Sequence, residues 1–373
     1  MKRHSLPPRE NWAQIVESTG LSYHSHDEGP YWDESACYEF DRAQITELEK
    51  AARTMHQMCR EAAGEAIAQG WWHRLGIPER AGELITSSWD RDEPSLYGRF
   101  DVIYDGKSPP KLLEYNADTP TSLVEASVTQ WFWLQDQRPN ADQFNSIHEK
   151  LLEAWRAWSG KHVHFGCVKN HPEDEQTVLY LRDVSLQAGV QSLPLFMEDI
   201  GWDTSRGVFI DLQDRPIEHC FKLYPWEWMW DEEFGTRLGL GTTRWVEPPW
   251  KLVLSSKGLL PVLWELFPQS PYLLPAYADQ RRADVNHVRK PLFSREGANV
   301  RWVENAQVVF ETPGSYGDEG YVHQTLCPPP KFDGCHPVLG LWIVADQPAG
   351  MGIREDRALV TGNLSRFVPH YFN

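Results

Sequence analysis

Apolar residues recur at three- and four-residue spacing across residues 41–70, at Ile45, Leu48, Ala52, Met55, Cys59, Ala62, Ala66 and Ile67, and a glycine closes the run. That spacing predicts an amphipathic helix. A second helical stretch runs through residues 121–137, and a third through 142–158, with Phe144, Ile147, Leu151, Leu152, Trp155 and Trp158 on one face. The first third of the chain therefore reads as mostly helical. From His162 onward the period changes to short strand-like runs, HVHFGCV, TVLYLR, GVFIDL and CFKLY, separated by Asp, Gly, Pro and Asn turns, with a helical stretch at 180–189. This is the pattern of an α/β layer. KLVLSSKGLLPVLWELF opens a further helix, HVRKPLFSREGANVRWV and AQVVFETPG read as strand, Gly-containing loop and strand, and residues 340–373 return to strand and turn. No linker rich in Pro, Gly and Ser separates these parts, so the predicted boundaries are tight.

One alternating segment carries candidate chemistry. In RFDVIYDGKSPPKLLEYN, two strand-like runs flank a DGKSPP turn, and successive side chains of a strand point to opposite faces. Phe100, Val102 and Tyr104 fall on one face, with Arg99 and Asp101 on the other; the returning run places Leu113 and Tyr115 against Glu114 and Asn116. If the register brings the polar faces together, one sheet face presents a guanidinium, two carboxylates and an amide oxygen. Such hard oxygen ligands suit Mg²⁺, held by one or two carboxylates while substrate phosphates complete its shell. Alternation alone is equally satisfied by an amphipathic hairpin with a solvated polar face. Downstream, Asp118, Thr119, Thr121 and Ser122 precede a helix, where such residues cap or bind anions. Lys257 opens the helical SSKGLLPVLWELF, and Lys290 lies on a strand before a Ser/Gly loop, an arrangement that can hold phosphates. The carboxyl-terminal stretch, with Trp342, a strand-like LWIV, a Gly-interrupted turn and Arg354, reads as a segment docked into a site rather than a frayed end.

Composition narrows the field. With 373 residues, 41% hydrophobic and 12% aromatic, the chain is that of an ordered globular protein with a sizeable core. Its net charge of −17 argues against nucleic acid as a partner, because phosphate backbones are bound by Lys and Arg surfaces. The eighteen tryptophans, several in the clusters at 131–133 and 226–230, are expected mainly in the core. No long apolar span and no apolar leader after Met1 are present, so a cytoplasmic location without membrane contact is expected. The six cysteines are scattered without a CxxC pair and read as reduced thiols. Walker A, GxGxxG, GxSxG, HExxH and EF-hand patterns are absent. His287, His323 and His336 lie near the candidate nucleotide segments and read as structural or surface residues.

The order of RFD, LEYNADTPTS, a PEDE turn, SSKGLLPVLW, VRKPLFSREGANV, YVHQTLCPPP and GMGIRED followed by SRFVPH resembles the glutathionylspermidine synthase family over nearly the whole chain. The resemblance implies an α+β, ATP-grasp carboxylate–amine ligase with an antiparallel core sheet, using ATP and Mg²⁺ and matching the synthetase part of the bifunctional members. It implies that Asp101, Glu114 and Asn116 bind magnesium, and that Arg99 and Arg354 bracket the transferred phosphoryl group. Lys257 and Lys290 correspond to the two nucleotide lysines, 294–297 (Ser294 to Gly297) to the loop over the phosphates, and 324–326 (Gln324 to Leu326) to the strand beside adenine. Thr119 and Thr121 fall near the acyl substrate; Asp174 and Glu175, in the EDE turn, correspond to acidic residues near the peptide substrate. One departure is Ser256, where the family pattern carries Asn. The implied organisation is a helical part with the hairpin at 1–160, a pre-ATP-grasp-like α/β layer at 161–250, a lid at 251–330 and a return to the catalytic core at 331–373. The substrates are then a peptide carboxylate, glutathione-like, and an amine, polyamine-like; a non-catalytic nucleotide-binding scaffold on the same fold is the alternative, and the oligomeric state is left open.

Overall fold

The computed structural model describes residues 1–27, 29–280, 285–362 and 364–373. Its centre is a five-stranded antiparallel sheet in the order Arg366–Val368, Gln347–Asp356, His336–Val344, Tyr97–Ile103 and Lys111–Asn116. The hairpin predicted from alternation thus forms one edge of this sheet, and the carboxyl-terminal segment supplies its other three strands. Inside the hairpin, Phe100 and Tyr115 are cross-strand partners whose rings stack at 3.9 Å. That contact fixes the register, since a slip by one residue would turn each aromatic ring to the polar side.

The apolar face of the core sheet, with Phe100, Val102, Leu339, Leu341, Met351 and Ile353, packs into a cluster shared with the helix Arg42–Ala68. This helix is the one predicted over 41–70. Asp41 accepts from the Gln44 backbone N–H while the Gln44 side chain accepts from that of Asp41, a reciprocal cap that starts the helix cleanly. A second antiparallel sheet, in the order Ala276–Tyr277, Tyr321–Thr325, His287–Pro291, Arg301–Glu304 and Gln307–Glu311, stands beside the hairpin edge. A third sheet is wholly parallel: Arg244–Val246, His219–Lys222, His162–Cys167 and Gln191–Phe196. The fold is therefore mixed α and β, with parallel and antiparallel sheets in one chain.

Three local expectations are corrected. TVLYLR, read as a strand, lies inside the helix Pro172–Gln187, the crossover that two parallel neighbours require. The helix expected over 142–158 begins only at Ile147, because Asp142 bridges Phe372 and Asn145 bridges Gly350 in extended conformation. The first third is also less helical than expected: Lys2–Ser5 pairs with Ala36–Phe40, which pairs on its other side with the terminal His370–Phe372. Most tryptophans are core, Trp32, Trp133, Trp155, Trp226, Trp250 and Trp342 being fully buried, but Trp131 and Trp228 are 40% exposed. The six cysteines are unpaired. No helix among the described residues is long and apolar enough to cross a membrane.

Candidate active site

The hairpin register sets Arg99 opposite Asn116 and Asp101 opposite Glu114, so all four side chains share one sheet face. Arg99 donates to both oxygens of Asp101, at 2.7 and 3.0 Å, and to the Thr121 carbonyl at 2.6 Å. Asn116 Nδ2 donates to Asp101 Oδ2 at 3.1 Å and to Glu114 Oε1 at 3.3 Å. Space for this cluster comes from Gly340, the neighbour of Asp101 on the next strand: a Cβ there would sit 2.7 Å from Arg99 Cδ. Arg354 lies two strands further along, opposite Val338 and Phe367, and donates to the Gly362 carbonyl. Alternation puts Arg354 on the same sheet face as Arg99 and Asp101.

Both lysines converge on this face. Lys257 follows the helix Lys251–Ser255, is 3.3 Å from Glu114 Oε2, and donates to the Ser294 carbonyl at 3.0 Å. Lys290 Nζ donates to the Leu113 carbonyl at 3.0 Å and to Gln324 Oε1 at 2.9 Å. Burial pushes the Lys290 ammonium down to about 8, Glu114 pulling it up and Lys257 pushing it down further. For Glu114, burial raises the carboxyl, but the charges of Lys257 and Lys290 outweigh it and hold the group below its ordinary value. The pairings are therefore mutual: carboxylate and ammonium each keep the other charged in a buried place.

These residues line a cleft of about 110 Å³, partly open to solvent, between the core sheet and the second sheet. Asp101, Glu114, Lys257, Lys290, Ser294 and Gly297 are its polar and loop boundary, and Ile103, Val288, Trp302, Val338 and Val360 its apolar walls. Gly297, with φ of +68°, presses against the carboxyl-terminal loop so closely that a Cβ would lie 2.9 Å from the Thr361 carbonyl oxygen. Of the 324–326 segment, Gln324 and Thr325 line the cleft, while the Leu326 N–H is already used by the Asn286 carbonyl. A smaller pocket of about 30 Å³ shares Glu114, Lys257 and Ser294 with the cleft and is also lined by Asn116, Thr119, Glu227 and Arg295. Thr119 accepts from Arg295 at 2.8 Å, and Thr121 contributes the carbonyl that holds Arg99.

The acidic turn is split. Asp174, whose carboxyl is raised to about 6 by burial despite its neighbour His171, lies within electrostatic reach of Arg295. Glu175 instead lines a separate cleft with Cys167, Phe196, Asp199 and Asp211. The structure adds two groups that the sequence does not single out, Arg295 and Glu125, and gives Asp118 a different role. Asp118 accepts from the buried Lys222 at 2.7 Å and from the Trp226 N–H at 2.9 Å, tying the parallel sheet to the hairpin. Arg295 bridges Thr119 and Glu227 across the smaller pocket. Glu125 is buried beneath Tyr23 and Tyr31. Asp118 and Arg295 stood in segments already singled out, but nothing in their spacing distinguishes a buried pair from a cap or a surface charge.

The residues fit a magnesium ion bound together with phosphates. Two carboxylates and the Asn116 amide come together, the amide nitrogen donating to both carboxylates, and among the described residues no cluster of three or more His, Cys, Asp and Glu could hold a metal by itself. That donor set suits an ion that shares its shell with substrate oxygens.

A family model described as "Glutathionylspermidine synthase preATP-grasp" matches residues 3–373. The chain belongs to this family. A Haemophilus influenzae protein named "Putative acid--amine ligase" is 43% identical, with the whole of both chains covered. The trypanothione synthetase of Crithidia fasciculata is 27% identical over 84% of this chain, and the bifunctional glutathionylspermidine synthetase/amidase of Escherichia coli 26% over 89%. The chain spans only 53% and 58% of the length of those two relatives. In fold, it is similar to a glutathione synthetase-like effector from Globodera pallida, with a TM-score of 0.56 at 11% identity, covering 99% of this chain and 100% of that one.

Proposed function

We propose that this family member is an ATP-dependent, ADP-forming ligase with an ATP-grasp nucleotide site, joining a peptide carboxylate of glutathione type to an amine of polyamine type. The observation that carries the reading is that the two cavities adjoin: the larger, walled by apolar side chains and two lysines, shares Glu114, Lys257 and Ser294 with the smaller. A nucleotide lying in the first directs its terminal phosphate at an acid lying in the second.

In this reading Lys257 and Lys290 hold the phosphates, the 294–297 loop closes over them, and the 324–326 strand lies beside the base. Asp101, Glu114 and Asn116 would hold Mg²⁺, which supplies charge neutralisation on the phosphate oxygens. Thr119, Thr121 and Asp174 border the acid, with Glu175 further out. Arg99 and Arg354, on one sheet face, fix the transferred group between them, and catalysis is mainly positioning and charge stabilisation. The carboxylate takes the terminal phosphoryl group, and the amine displaces phosphate from the resulting acyl phosphate. The four parts delimited at 1–160, 161–250, 251–330 and 331–373 would then serve as hairpin support, acid-binding layer, lid and catalytic return.

The route has a direct test. Acid labelled with heavy oxygen in its carboxylate must deliver one labelled atom to the released phosphate. Release of unlabelled phosphate alongside a formed amide would rule out the acyl phosphate.

A further inference from the structure

On the arginine side of the sheet face lies a carboxyl group that the reading above leaves unused. Glu125 opens a π-helical turn, Glu125–Thr129, and is fully buried. Such turns recur at functional sites. Its Oε1 accepts from Tyr31 Oη at 2.6 Å and from Tyr23 Oη at 2.9 Å, while Oε2 has no hydrogen-bond partner among the described residues. A buried carboxylate oxygen with nothing to accept from is costly, and the cost is removed by a proton or by a cation brought against it.

Its surroundings place it beside the reacting groups. Ala126, the next residue, covers Gly352 of the core sheet, where a Cβ would come within 3.4 Å of its own. Tyr31 Oη is 3.0 Å from Ser122 Oγ, and the adjoining Thr121 carbonyl is the one that Arg99 binds. Arg354 acts electrostatically on Tyr31, and Tyr31 on Arg99. Neither Tyr31 nor Glu125 lines the nucleotide cleft, and the Tyr31 hydroxyl links Glu125 to the Thr121–Ser122 segment that holds Arg99. Among the described residues, Glu173, from the helix Pro172–Gln187, and, beyond Tyr31, Arg354 also act on the group and its tyrosine. The helix Ile147–Arg156, packed on the same turn, carries His148, which is bonded to Tyr180. Burial, then Glu173, pushes the Glu125 carboxyl up to about 7 against the bonds from the two tyrosines.

We propose that Glu125, acting with Tyr31, is the proton acceptor for the amine substrate, a primary alkylamine that arrives as its ammonium; this rests on the ligase reading. The ammonium gives one proton to the Glu125 carboxylate through the Tyr31 hydroxyl. The free amine then forms the C–N bond, the acyl C–O bond breaks, and phosphate leaves with the electron pair and takes up the second nitrogen proton. Glu173 gives the approach the negative charge that a cationic amine favours.

The test compares two nucleophiles in wild type and Glu125→Gln, which keeps the shape and an acceptor for the tyrosines. Hydroxylamine is already unprotonated near neutral pH and traps the acyl phosphate as a hydroxamate. Amide formation with an alkyl diamine should fall by about 10²-fold or more, the range of general-base catalysis, while hydroxamate formation stays near wild type. The fall of wild-type kcat/KM for the amine below pH about 7 should also disappear in the variant. Tyr31→Phe, which leaves Glu125 in place, should show the same selectivity with a smaller loss. Equal losses with both nucleophiles, or an unchanged amide rate and pH profile, would overturn the proposal. A wild-type protein that forms no hydroxamate from any acid would overturn the ligase reading together with this role.

Discussion

Replacing Lys290 by methionine separates the demands of the fold from those of the nucleotide. Lys290 is 7% exposed, and its ammonium is held at about 8 against an ordinary 10.5. One pKa unit corresponds to about 1.4 kcal/mol, so keeping this group charged near neutral pH costs the folded state roughly 3 kcal/mol. Because the folded value lies below the unfolded one, the penalty is complete below pH about 8 and fades as the pH rises toward 10.5. Methionine removes the penalty but strips the donor from the Leu113 carbonyl and Gln324 Oε1, each worth about 1–3 kcal/mol when buried unsatisfied. The terms offset, and the free energy of unfolding of Lys290→Met should stay within about 2 kcal/mol of wild type. Nucleotide binding should not survive. At a hundredfold excess over Kd, MgATP should stabilise wild type by about 2.7 kcal/mol, and this increment should vanish in the variant. Thermal melts with and without MgATP read both quantities. A variant that keeps the full MgATP shift would refute the phosphate role of Lys290, and one that loses more than about 5 kcal/mol of stability would refute the offset.

Arg354→Met should retain MgATP binding but lose about 10²–10³ in kcat, the cost of removing one preorganised donor to developing charge, read by steady-state kinetics. Asp118→Ala leaves the buried Lys222 without its counter-charge and should cost about 3–5 kcal/mol in denaturant unfolding. His370 is buried, bonded to Gln130 at 2.9 Å, and burial pushes it down to about 3. Above pH about 6.5 it is neutral in both states; below that the unfolded chain takes up the proton first, so stability should fall by about 1.4 kcal/mol per pH unit on this account. Comparing His370→Gln with wild type at two pH values on either side of 6 isolates the slope, and an identical slope in both would show that His370 does not carry it.

The strongest sequence signal was the hairpin, because period-two alternation around an obvious turn fixes which residues share a face. Phe100 and Tyr115 then lock the register that brings Asp101 and Glu114 together. The 41–70 helix was legible for the same kind of reason, with its periodic apolar face and the reciprocal cap at Asp41 and Gln44. TVLYLR taken alone has the residue types of a strand, but its context is that of a helix. Pro172 in the first turn, followed by Glu173, Asp174 and Glu175, is a helix start, and it outweighs the local run. The helix predicted from Asp142 lost its first turn to pairing with strand segments about two hundred residues away, which no local pattern encodes. The same limit applies within the site. Lys257 and Lys290 were legible as candidate phosphate ligands, but the mutual dependence of their charges with Glu114 follows only from long-range packing. Glu125 gave no signal, because an acid in a helical stretch is ordinarily a solvated one, and its burial depends on Tyr23 and Tyr31, about a hundred residues earlier.

The most direct measurement of the ligase reading is ADP release with MgATP across a matrix of peptide acids and amines, with product masses read in the same reactions. The account predicts ADP formation that requires both an acid and an amine, with a product whose mass is their sum less one water. ATP turnover indifferent to both, or no turnover with any pair despite tight MgATP binding, would contradict it.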